Sequence, residues 1–152
     1  MNPAANMTRT EVLLVEDSRG DVRLTQEAFR GANPSVRLHV ANDGVEAVNF
    51  LKNEGIWAHA PRPDLILLDL NLPKMDGREV LAEIKKDSNL KMIPTVILTT
   101  SEAETDIARS YQLQANCYLT KPGQLDAFEN LVKCVSDFWL TAVKLPQQGL
   151  VA

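Results

Sequence analysis

Two rhythms of apolar residues alternate along the chain. Glu11-Val12-Leu13-Leu14-Val15-Glu16 and Asp64-Leu65-Ile66-Leu67-Leu68-Asp69 are short unbroken apolar runs closed by carboxylates. Pro94-Thr95-Val96-Ile97-Leu98-Thr99 is a third such run, rich in β-branched residues. Runs of this length and character predict strands buried on both faces, as in a parallel sheet. Val36-Arg37-Leu38-His39-Val40 alternates instead, as a strand with one exposed face or an edge location does. Cys117-Tyr118-Leu119-Thr120 predicts a short fifth strand. Between the strands the apolar spacing lengthens. Val22, Leu24, Ala28 and Phe29 form one stripe, and Val45, Ala47, Val48, Phe50 and Leu51 a second. Val80, Leu81 and Ile84 form a third, and Leu125, Phe128, Leu131, Val132, Val135 and Trp139 a fourth. Each predicts a helix with one buried face. A further helix is expected from Thr100-Ser101 to about Gln112, with Glu102 and Glu104 in its first turn, where the dipole favours carboxylates.

The boundary residues agree with these elements. Ser18 is a good N-cap, and Asp21 three residues on makes a variant of the capping box, so the first helix is expected from Arg19 to about Arg30. Gly31-Ala32-Asn33-Pro34 ends it. Asn42-Asp43-Gly44 and Lys74-Met75-Asp76-Gly77 are turns that open helices, and Lys85-Lys86 suits a helix C-terminus. Asn53 to Pro63 is a long polar loop, expected to wrap an edge with Trp57 against the preceding helix. Strand and helix signals alternate five times, which predicts an α/β fold: a doubly wound five-stranded parallel sheet in the order 2-1-3-4-5. Residues 1–9 are expected to be a disordered arm, 10–144 one domain, and 145–152 a C-terminal tail after the last helix.

Composition narrows the partners. With 45% hydrophobic and 24% charged residues, the 152-residue chain has the make-up of a soluble globular domain. Its net charge of -4 argues against nucleic acid, which wants a basic face. No apolar run approaches the roughly 18 residues that span a membrane, and the N-terminus lacks the pattern of a signal peptide. A cytoplasmic location with reduced thiols is the expectation, with Cys117 and Cys134 both buried. His39 and His59 show no partner in the sequence.

The chemistry collects at strand ends. The first strand ends in Glu16-Asp17, the third in Asp69, the fourth in Thr99 and the fifth in Lys121. In the order 2-1-3-4-5 these strands are neighbours, and ligands of open α/β sheets bind at that carboxyl edge. Clustered carboxylates repel unless a hard divalent cation offsets them, and Mg²⁺ (or Mn²⁺) suits a site with few carboxylates. A lysine ammonium and a threonine hydroxyl match phosphoryl oxygens. Asp69 is left as the group that can attack phosphorus.

Glu16-Asp17, Asp69 followed by Pro73 and Asp76-Gly77, Thr99, and Lys121-Pro122 together resemble the receiver domains of two-component response regulators. The resemblance covers Val12 to Val143 and implies the flavodoxin-like receiver fold. It implies that Asp69 accepts phosphate from a histidine kinase. Glu16, Asp17, Asp69 and the backbone carbonyl of Asn71 would hold the metal, and Thr99, Lys121 and the neighbouring Thr100 would flank the phosphoryl group. Tyr118 matches the family's switch aromatic, which turns inward as Thr99 is drawn to phosphate. The Lys121-Pro122 bond is expected to be cis. Leu72 departs from the methionine of many relatives. The stretches Glu16 to Val22, Pro61 to Gly77, Ser110-Tyr111 and Asn116-Cys117-Tyr118 look like the small stand-alone regulators that pair with phytochromes, which implies a light-regulated kinase as donor. Two other readings compete. An aspartyl-phosphate hydrolase needs a second aspartate two residues after the nucleophile, where this chain has Asn71. A non-phosphorylated docking module would be expected to lose Asp69, the acid pair or Lys121, and all are intact. The partner face is expected on the fourth and fifth helices and the fifth strand. Phe138-Trp139-Leu140 cannot all be buried on one helix face, which motivates a homodimer through them.

Overall fold

The computed structural model describes residues 9–146. The expected arm at 1–9 and tail at 145–152 fall almost entirely outside these residues. The strands are β1 (Thr10–Val15), β2 (Val36–Ala41), β3 (Leu65–Leu68), β4 (Thr95–Thr99) and β5 (Cys117–Thr120). All pair in parallel, in the order β2-β1-β3-β4-β5. The helices are α1 (Arg19–Ala32), α2 (Gly44–Leu51), α3 (Gly77–Lys86), α4 (Glu104–Gln112) and α5 (Leu125–Asp137), the last continued by a π turn over Phe138–Ala142. The doubly wound α/β sheet is therefore as expected.

Alternate residues of the central strands feed two cores, one on each sheet face. Leu13, Val15, Ile66, Leu68 and Ile97 meet α2 and α3 through Phe50, Val80, Leu81 and Ile84. Val12, Leu14, Leu65, Leu67 and Val96 meet α1 and α5 through Phe29, Phe128, Val132 and Val135. Each fully buried side chain of this kind contributes about 1.5–3 kcal/mol. The edge strand β2 keeps Arg37 exposed, which accounts for its alternating pattern.

The caps follow the sequence. Ser18 Oγ accepts from the Asp21 N–H at 3.2 Å, Asp43 Oδ1 from Glu46 N–H at 2.8 Å, and Asp76 Oδ1 from Arg78 N–H at 2.8 Å. Trp57 lies against Phe50, with ring centroids 5.1 Å apart. Five expectations need correction. The fourth helix begins at Glu104 rather than Thr100-Ser101, so Glu102 stays outside it; Ser101 Oγ instead accepts from Ala103 N–H and holds residues 100–103 as a loop. Leu125, placed on the buried stripe, is 51% exposed because it opens α5 beyond the rim of the core. Cys117 is half-buried in β5, but Cys134 is exposed, since Val132 and Val135 turn inward and leave it on the solvent side of α5. His39 has a partner: its Nε2 lies 3.0 Å from Glu11 Oε1, brought close by the β1–β2 register. All peptide bonds among the described residues are trans, Lys121–Pro122 included. Only about 0.5–1 kcal/mol separates the isomers of such a bond, so the dipeptide itself does not decide between them.

Candidate phosphoryl-transfer site

Each site residue from the sheet sits at the last position of a strand or one step beyond. The backbone holds them there by extending the ladder. Glu16 N–H donates to Ala41 O at 3.0 Å, Asp69 N–H to Val15 O at 3.1 Å, and Lys121 N–H to Thr99 O at 2.7 Å. Side-chain positions are thus set by the sheet rather than by loops. Below Asp69 the chain is clamped by α3: Gly77 N–H donates to Leu70 O at 2.9 Å, and a Cβ on Gly77 would stand 2.2 Å from Asp69 O. A side chain at Gly77 would therefore push directly on the backbone that carries Asp69.

Glu16, Asp17 and Asp69 each offer a carboxylate oxygen within 4.8 Å of the others. Glu16 and Asp69 are buried and Asp17 is exposed. Lys121 reaches across from β5, and its Nζ donates to Asp69 Oδ2 at 3.0 Å, to Asp21 Oδ2 at 2.9 Å and to Glu16 Oε1. Burial would push the Lys121 ammonium down, but its hydrogen bonds to Glu16 and Asp21 and the charge of Asp69 outweigh this and hold it above its ordinary value. Burial pushes the Glu16 carboxyl up to about 7; the hydrogen bond from Lys121 pulls the other way, and the charge of Asp69 adds to the rise. A second cation beside these acids would relieve the cost, and the oxygen-only donor set suits a hard divalent ion.

Thr99 is fully buried, and its Oγ1 has no hydrogen-bond partner among the described residues. An orphaned buried hydroxyl of this kind costs about 1–3 kcal/mol. It stands at the end of β4, beside β3 in the sheet. Thr100 is exposed. Asn71 is exposed too, and its N–H donates to Asp69 Oδ1 at 3.3 Å. Tyr118 is half-buried, and its hydroxyl donates to the backbone oxygen of Ser101 at 3.0 Å. A charged chain extends from there. Ser101 Oγ donates to Asp106 Oδ2 at 2.6 Å, and Arg78 Nη2 donates to Asp106 Oδ1 at 2.5 Å. Arg78 also donates to Asp76. The Asp106 bond raises Arg78, while Ser101 and then Arg78 lower Asp106. The apolar triplet at the far end of α5 divides: Trp139 and Leu140 pack on the core, and Phe138 is 56% exposed.

Residues 12–133 match the response regulator receiver domain family. This chain belongs to that family. It is 51% identical over 135 residues to response regulator Rcp1 of Synechocystis sp., covering 89% of this chain and 92% of that protein. The structure of the phosphorylated cyanobacterial phytochrome response regulator RcpA superposes with a TM-score of 0.89 at 50% identity, covering 91% of this chain and 99% of that one. The Mn(2+)-bound form of Rcp1 does so at 0.87, also with 50% identity and the same coverage.

In this receiver domain the strand-end residues named from the sequence are brought to one edge, and Thr100, Asn71 and Asp17 lie at its exposed rim. Asp21, Arg78 and Asp106 carry no sequence signal that assigns them to the site. The sequence marks Asp21 only as a cap residue. Arg78 and Asp106 are 28 residues apart and meet through the packing of helix starts that no local pattern encodes.

Proposed function

We propose that Asp69 is the phosphoacceptor of a response regulator, taking its phosphoryl group from a histidine kinase. The observation that carries this is the buried Asp69 carboxylate, ion-paired with Lys121 at 3.0 Å within the acid cluster, with a buried, unpartnered threonine hydroxyl at the end of the adjacent strand β4. An Asp69 oxygen forms a bond to phosphorus as the phosphorus–nitrogen bond to the donor histidine breaks. The bonding pair returns to the imidazole, which takes up a proton. Lys121 offsets charge on the phosphoryl oxygens, and the Thr99 hydroxyl donates to one of them. Thr100 stands beside them at the rim. Glu16, Asp17, Asp69 and the Asn71 carbonyl would hold Mg²⁺ or Mn²⁺, which when bound neutralises carboxylate and phosphoryl charge. The chain's part is positioning and charge, so it assists its own phosphorylation and dephosphorylation without acting as an enzyme on a separate substrate.

The kinase donor proposed is a phytochrome, supported by the 50% identity to a phytochrome response regulator. Drawing Thr99 toward the phosphoryl group frees space for Tyr118, and the signal leaves through α4, β5 and α5. Phe138 is the exposed apolar group of the proposed homodimer contact. The working unit is taken as residues 10–144, in the cytoplasm; no helix among the described residues is long and apolar enough to cross a membrane. A phosphatase reading lacks its general acid at Asn71.

The test is phosphotransfer from an autophosphorylated phytochrome kinase, read by intact mass with Mg²⁺ present. Wild type is expected to gain one phosphoryl group and Asp69→Asn none. Equal labelling of both would overturn the assignment of Asp69.

A further inference from the structure

Asp21 adds a further carboxylate at this site, and it comes from a helix rather than a strand end. Its backbone N–H is occupied with the Ser18 cap. Its side chain does something that capping does not explain. Asp21 Oδ2 accepts from Lys121 Nζ at 2.9 Å, the same ammonium that Asp69 accepts from at 3.0 Å. The side chain of Asp21 is 31% exposed, against 10% for Asp69 and 5% for Lys121. It therefore stands at the mouth of the site, between solvent and the buried pair.

The charges can be followed through. Glu16, Asp17, Asp21 and Asp69 each bring a carboxylate, and Lys121 brings one ammonium. A divalent ion leaves the site still negative. An incoming phosphoryl group is also negative, and it must share Lys121 with Asp21 as well as with Glu16. A small free donor has only the site's own attraction to offset that repulsion. A protein donor brings binding energy from contacts remote from phosphorus, which can be spent at the reacting centre.

We propose that Asp21 sets the choice of phosphoryl donor, holding negative charge on Lys121 at the mouth so that small dianionic phosphodonors are disfavoured. The proposal rests on the reading of Asp69 as phosphoacceptor. With acetyl phosphate the Asp69–phosphorus bond forms as the bond from phosphorus to the acetate oxygen breaks, and acetate leaves with the electron pair. Removing the Asp21 charge lowers the barrier most for the donor that carries most charge.

The experiment compares wild type, Asp21→Asn, Asp21→Glu and Asp69→Asn. Acetyl phosphate, a dianion at neutral pH, and phosphoramidate, a monoanion, serve as donors, with saturating Mg²⁺ and intact-mass readout. Asp21→Asn is expected to label about tenfold faster with acetyl phosphate and less than about twofold faster with phosphoramidate. The acetyl phosphate gain should shrink as salt is raised. Asp21→Glu keeps the charge and should restore the wild-type donor ratio; thermal melts confirm that each variant is folded. A donor ratio unchanged in Asp21→Asn, whether both rates fall together or neither moves, would overturn the proposal and leave Asp21 a prop for Lys121. Asp21→Glu behaving like Asp21→Asn would overturn it too. Absence of label on wild type with both donors, or label on Asp69→Asn, would instead bring down the Asp69 reading, and this proposal with it.

Discussion

Replacing Gly77 with alanine sets two effects of opposite sign against each other. Gly77 opens α3 and is not among the glycines with left-handed backbone, so helix propensity favours alanine there by about 0.5–1 kcal/mol. The added Cβ, however, would lie 2.2 Å from Asp69 O, 2.6 Å from Leu70 Cα and 2.9 Å from Leu70 O. These are backbone atoms, and the segment is pinned by the Asp69 N–H bond to Val15 O and the Gly77 N–H bond to Leu70 O. No flexible side chain can yield, so α3 or the end of β3 must shift. Overpacking costs about 1–3 kcal/mol, and with contacts as short as 2.2 Å against pinned backbone the upper part of that range, about 2–3 kcal/mol, applies; this outweighs the propensity gain and leaves Gly77→Ala about 1–2.5 kcal/mol less stable. A displacement of that backbone moves Asp69 itself, and phosphorylation is expected to slow by about 10–100-fold. Urea unfolding of wild type, Gly77→Ala and Gly31→Ala tests this. Gly31 also lies in a helix, with nothing within 4 Å of an added Cβ, so Gly31→Ala should match or exceed wild type. Gly77→Ala as stable as wild type, and phosphorylated as fast, would refute the claim that α3 seats against the Asp69 backbone.

Four further outcomes follow from the same geometry. Thr99→Val removes an unpartnered buried hydroxyl while keeping its shape, so the unphosphorylated protein should be as stable or about 1 kcal/mol more stable, yet the phosphorylated form should lose its coupling to Tyr118; urea melts and Tyr118 fluorescence with and without phosphodonor read the two separately. Glu16 titrates near 7 rather than at its ordinary 4.5, so a proton must leave it before a metal binds; Mg²⁺ affinity by titration calorimetry should weaken as pH falls below about 7, by up to tenfold per unit. The same raised value means that burying the charged carboxylate costs stability without metal: this group's contribution is most favourable below its ordinary range and is lost as pH rises through about 7. Phe138→Ser should leave folding intact, since Phe138 is 56% exposed, and shift sedimentation from dimer to monomer; a monomeric wild type would remove the dimer contact.

Much of this was legible because burial and chemistry sort by position. Leu65 to Leu68 could only be a central strand, being apolar at every position, and all four are buried. Once the strands and their order are known, the residue after each strand has one place to go, and Glu16, Asp69 and Lys121 are found there. What the sequence hides is contact between elements with no shared period. Asp21 and Lys121 are 100 residues apart, and the signal in Ser18-x-x-Asp21 was fully absorbed by capping. α4 starts later than the pattern suggests because Ser101 resembles an N-cap yet lies in the preceding loop and donates its hydroxyl to Asp106 inside the helix. The trans Lys121–Pro122 bond could not be read from the dipeptide, whose two isomers are nearly equal in energy.

The chain from Tyr118 through Ser101 and Asp106 to Arg78 ties the starts of α3 and α4 to the interior of β5. It binds the loop after Thr99 on both sides, so that loop cannot relocate without exchanging charged partners. By thermodynamic reciprocity, a protein that seizes Asp106 or Arg78 on the outer surface alters the free energy of phosphate at Asp69 by as much as phosphate alters its own binding. The output partner of this regulator would then also help set its phosphorylated fraction: its concentration, as well as the kinase's activity, would shift the balance between the two forms.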